Sequence, residues 1–126
     1  KKMKKSKIKQ NNYLRRKYTR MQRDLNQTLN DHRGLPIKLN EADGQRDLTL
    51  RDVVLNALSS HHPDKDRDLS GGDKHKFFML GLRIENSKDA PVELSIEEIA
   101  ILKRRIEIIY AQNHFVLGSA WTALEA

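Results

Sequence analysis

The sequence predicts a mostly α protein: a small four-helix domain with a short β-hairpin over residues 36–126, preceded over residues 1–35 by a basic N-terminal arm and an amphipathic helix. Three observations predict it. Three helix starts repeat one capping pattern, each followed by apolar residues at helical spacing. Charged residues make up 33% of the chain and aromatics 6%, a balance suited to a small soluble helical protein without a large apolar pocket. Charge is also segregated: residues 1–35 hold twelve Lys/Arg against two acids, while residues 36–126 hold the other twelve against fifteen.

Lys1 to Lys9 is a lysine run with Ile8 as its only aliphatic residue, too polar to offset the entropy of ordering. Leu14, Tyr18, Met21 and Leu25 follow at spacings of four, three and four, which predicts one helix face continuing to Thr28 and Leu29, with Asn11 or Asn12 as its cap. Arg15, Arg16, Lys17, Arg20 and Arg23 fall off that stripe, so the predicted helix is apolar on one side and cationic on the other. Gly34 and Pro36 end it.

Ile37 and Leu39 alternate with Lys38, and Asp43-Gly44 is a turn dipeptide, which predicts a hairpin over 36–48. Thr49-x-x-Asp52, Ser70-x-x-Asp73 and Ser95-x-x-Glu98 each place a hydroxyl where it accepts from a free helix N–H, with an acid three residues later. Behind them, helices are expected at about 50–60, 71–86 and 96–111, with a fourth at about 114–125. Val92 and Leu94 are expected to form a short strand against residues 37–39.

The absence of cysteine excludes disulfides, thiolate metal sites and cysteine nucleophiles. No apolar run approaches the ~18 residues of a membrane span. No nucleophile elbow, phosphate loop or paired catalytic carboxylates are present, so no enzyme activity and no cofactor are expected. His61, His62 and His75 lack zinc-ligand spacing and read as exposed loop and helix residues. Asp66-x-Asp68-x-Ser70-Gly71 matches the opening of a calcium loop, but Phe77 stands where that loop needs its closing Glu.

The charge pattern points to a polyanion. Lysines along a flexible segment displace counterions from phosphates, giving salt-sensitive binding without sequence preference. Lys1, Lys2, Lys4, Lys5, Lys7, Lys9, Arg15, Arg16, Lys17, Arg20 and Arg23 are the candidate nucleic-acid contacts. Leu14, Tyr18, Met21 and Leu25 are the candidate face for a protein partner or a second copy of the chain.

From Pro36 onward, the chain resembles small helical accessory proteins of tailed bacteriophages and prophages. The resemblance rests on the Ile37-Lys-Leu start, the Asp43-Gly44 turn and Leu48-Thr-Leu-Arg-Asp-Val-Val-Leu-Asn-Ala-Leu58. It continues through Leu69-Ser70 and Val92-Glu-Leu-Ser-Ile-Glu-Glu-Ile-Ala-Ile-Leu102 to the closing Ala123-Leu-Glu125. It implies a compact helical accessory protein in a bacterial cytoplasm or a phage particle, and assigns no functional residue. The expectation from sequence is a non-enzymatic protein that binds nucleic acid through its basic segment and a protein through its helical domain. The alternative is an assembly protein of the particle, and a weaker one is a calcium module built on Asp66, Asp68 and Ser70.

Overall fold

A computed structural model describes residues 20–125. Four helices lie close to the expected positions: α1 (Leu50–Ser59), α2 (Gly71–Ser87), α3 (Ile96–Ile109) and α4 (His114–Glu125). Four short strands accompany them: β1 (Arg20–Arg23), β2 (Lys38–Glu41), β3 (Gly44–Asp47) and β4 (Val92–Ser95). They form two antiparallel two-stranded sheets, β1 with β4 and β2 with β3. The fold is therefore mixed α/β, not mostly α.

The capping chemistry explains the helix starts. Oγ1 of Thr49 and Oγ of Ser95 accept from the N–H groups of Asp52 and Glu98, whose carboxylates accept in return from the Thr49 and Ser95 N–H groups. Ser70 accepts from Asp73 N–H. The hairpin pairs Lys38 with Asp47 and Glu41 with Gly44, and Gly44 takes φ +123°, a value that L side chains rarely adopt.

The largest correction concerns the amphipathic helix. Within it Arg20–Arg23 is a strand and residues 24–33 are turns and isolated bridges: Arg20 pairs with Ser95 and Arg23 with Val92, with Met21 opposite Leu94. Val92 and Leu94 thus form the expected strand but pair with 20–23, not with 37–39. A single strand of four residues cannot satisfy its ladder alone, and pairing with β4 outweighs the local helical periodicity. Beyond β1 the chain runs beside the hairpin and the start of α1. Leu29 N–H donates to Leu48 O, Ile37 N–H to Leu29 O, and the Leu50 and Arg51 N–H groups donate to Gln27 O and Leu25 O. This path delivers Leu25 and Leu29 to a core shared with Val53, Val54, Ile84, Leu94, Leu102, Ile106 and Leu124. Residues 20–35 are therefore part of the same packed unit as 36–125.

One ion pair lies inside the fold. Arg105 of α3 and Asp66 of the loop before α2 are 2% and 1% exposed. Arg105 also donates to Ala57 O and Ser60 O, so it caps the C-terminus of α1, whose last turn has no basic residue of its own.

Candidate functional site

Lys1, Lys2, Lys4, Lys5, Lys7, Lys9, Leu14, Arg15, Arg16, Lys17 and Tyr18 lie outside the described residues. Arg20 belongs to β1. Arg23, expected on a phosphate, is half-buried and committed to the fold: its Nε donates to Leu124 O at 2.9 Å and its Nη1 to Gln22 O at 3.0 Å. That bond fills an orphan carbonyl at the end of α4. Met21 packs against the core and Leu25 is fully buried within it, so Leu25 offers no partner surface.

The calcium reading fails at its first ligand. Nη1 and Nη2 of Arg105 donate to Oδ1 and Oδ2 of Asp66 at 2.6 and 2.9 Å, and His62 N–H donates to Oδ2 at 2.7 Å. These bonds, Arg105 first, outweigh the cost of burial and hold the Asp66 carboxyl down to about 2. Ser70 Oγ is occupied as the α2 cap. Among the described residues, no group of three or more His, Asp or Glu could hold a metal ion. His62 Nδ1 accepts from the backbone N–H groups of Asp64 and Lys65, a loop role rather than a ligand's.

Most cations of residues 20–125 are engaged. Arg46 bridges Glu41 and Asp52, Arg83 binds Glu98, Lys103 binds Glu125, and Arg104 binds Glu107. Arg51 donates to Asn26 Oδ1, Ile84 O, Ser87 Oγ and Lys88 O, which fastens the end of α2. These pairs tie several of the fold's cations to its own acids, all at the surface except Arg105 with Asp66.

Three of the exposed large apolar side chains among the described residues gather on α2. That helix buries only Leu80 and Ile84. On its outer side Phe78 is 64% exposed, Met79 48% and Leu82 43%. Helical geometry places Leu82 nearly opposite the buried pair, so α2 is apolar on both sides. Such a helix is ordinarily covered on both. Two concavities flank the ridge. One, of about 430 Å³, runs between α1 and α2 and is lined by Leu55, Leu58, Lys74, Phe77, Phe78, Gly81, Leu82 and Glu85. The other, of about 860 Å³, runs between α2 and α3 and includes Met79, Leu82, Arg83, Glu98 and Ile101. Leu82 lines both. The sequence carries a signal for this surface: apolar residues at 77, 78, 79, 80, 82 and 84 wrap α2 more widely than one face can bury.

His75, Ser95 and Glu97 also line the second concavity, where Ser95 Oγ is taken up as the cap of α3. No helix among the described residues is long and apolar enough to cross a membrane. No protein-family model, curated protein or solved structure matches the chain.

Proposed function

We propose that this chain is a non-enzymatic accessory protein, of the kind found in tailed phages, that binds nucleic acid through its N-terminal basic segment and a protein through its helical body. The observation that carries the reading is the division of charge. Nine of the 24 Lys/Arg and none of the 17 Asp/Glu lie in residues 1–19, leaving fifteen bases against seventeen acids in the rest. A segment of nine cations without an acid is a counterion-releasing ligand for a phosphate backbone. The ion pairs within residues 20–125 support the same reading, because they tie several of that region's cations to its own acids. Arg23 leaves the set of phosphate contacts, Leu25 leaves the protein-binding face because it is buried, and the α2 ridge joins that face.

Fluorescence anisotropy with mixed-sequence duplex DNA and with single-stranded RNA tests this. Affinity falls by at least about 10³ between 50 and 200 mM salt if six or more phosphates are engaged. Changing the nine Lys/Arg of residues 1–19 to Gln abolishes that binding. Salt-independent affinity, or affinity retained by the Gln variant, refutes the reading.

A further inference from the structure

Along one flank of α2, Lys74, Phe78, Gly81 and Glu85 are spaced four, three and four apart, and all four line the groove against α1. That spacing is the seam of a helix–helix contact. The seam is also its own complement when reversed. Lys74 and Glu85 lie equally far from a point between Met79 and Leu80, and so do Phe78 and Gly81. A second α2 laid antiparallel across the groove sets Lys74 against Glu85 twice, and sets each Phe78 over the Gly81 of the other copy. Phe78 is the most exposed of the large apolar side chains among the described residues. Gly81 is the gap it needs, because only Leu58 Cδ1, at 3.9 Å, lies within 4 Å of where a Gly81 Cβ would be.

We propose that two copies of this chain associate through α2, antiparallel about a two-fold axis. This rests on the reading of the helical body as a protein-docking element and is independent of the nucleic-acid reading. Charge selects the occupant. A parallel pair would set Lys74 on Lys74 and Glu85 on Glu85. An unrelated acidic helix would satisfy Lys74 and be repelled by Glu85. The antiparallel copy satisfies both ends, which is the self-complementarity an isologous interface requires.

Sedimentation equilibrium of the full chain over a range of concentrations gives the test, with a dimer expected at twice the 14.6 kDa chain mass. Lys74→Glu and Glu85→Lys, each alone, place like charges at both ends and weaken self-association about tenfold or more. Mixed in equal amounts, the two variants restore a one-to-one heterodimer, because every facing pair is again opposite in sign. Gly81→Ala supplies a folded control: its Cβ meets Leu58 at ordinary contact distance, and alanine favours the helix, so the monomer melts higher while the dimer weakens. A wild type that stays monomeric throughout, single charge variants that dimerise as tightly as the wild type, or a mixture no tighter than its components overturns the proposal. A monomer whose DNA affinity still falls with salt sinks the dimer and leaves the arm. A dimer that ignores polyanions does the reverse.

Discussion

Arg105 grips Asp66 across 39 residues of sequence with two parallel hydrogen bonds of 2.6 and 2.9 Å. The pair joins the middle of α3 to the loop that leads into α2. Arg105 extends the link to the end of α1 through Ala57 O and Ser60 O, and its guanidinium carbon sits 4.9 Å from the Phe77 ring centre. A residue from the stretch that resembles a calcium loop is therefore a structural anchor. Asp66→Ala leaves a buried guanidinium without its counter-ion and costs about 3–5 kcal/mol. Chemical denaturation checks the loss. Calcium leaves the wild-type melting temperature unchanged.

The same pair sets a response to acid. Asp66 sits at about 2 in the folded chain, against an ordinary 3.8. A carboxyl depressed by folding contributes fully above its unfolded value and loses that contribution as pH falls through its folded one. Stability from Asp66 is thus present above about pH 4 and is lost progressively towards pH 2, amounting to about 2 kcal/mol. Urea midpoints measured from pH 5 to pH 2 fall more steeply for the wild type than for Asp66→Asn.

Lys88 carries strain. Its φ of +49° and ψ of −117° suit the first central position of a type II′ turn, a place that favours glycine, and Ala90 N–H closes that turn onto Ser87 O. The Lys88 carbonyl accepts from Arg51 and from Asn26 Nδ2, so the surroundings hold the backbone in place. Lys88→Gly keeps those acceptors and relieves the steric cost, raising stability by about 1 kcal/mol. Calorimetry shows this as a rise of several degrees in melting temperature.

Ser95 ends β4 and caps α3, with Glu98 returning the bond to its backbone. Ser95→Ala removes the oxygen that satisfies Glu98 N–H and costs about 1 kcal/mol. The urea midpoint moves down while the slope of the transition stays constant, because the exposed surface on unfolding does not change.

The legible parts of this fold were those fixed by neighbours in sequence. Thr49, Ser70 and Ser95 announce three helices because a cap and its acid lie within one turn. The hairpin announces itself through Asp43-Gly44 and the alternation before it. β1 could not be found this way. Met21 and Leu25 are four apart, which fits a helix, and only contact with β4, some 70 residues later, makes Met21 a strand residue facing Leu94. The Asp66–Arg105 pair was hidden for the same reason, since an isolated Arg on a helix carries no mark of burial. The α2 ridge was visible as residues but not as surface: Phe78 and Leu82 look like core until the packing shows which side of the helix the core occupies.

Arg23 donates to Leu124 O across 101 residues. The start of the folded unit is therefore fastened to its end. During synthesis β1 leaves the ribosome long before β4 and α4 exist. At 5–20 residues per second, roughly 5–20 s pass before its last partner is made. Through that interval Leu25 and Leu29 lack the core contacts that β4, α3 and α4 supply, and closure of the folded unit waits until α4 has emerged.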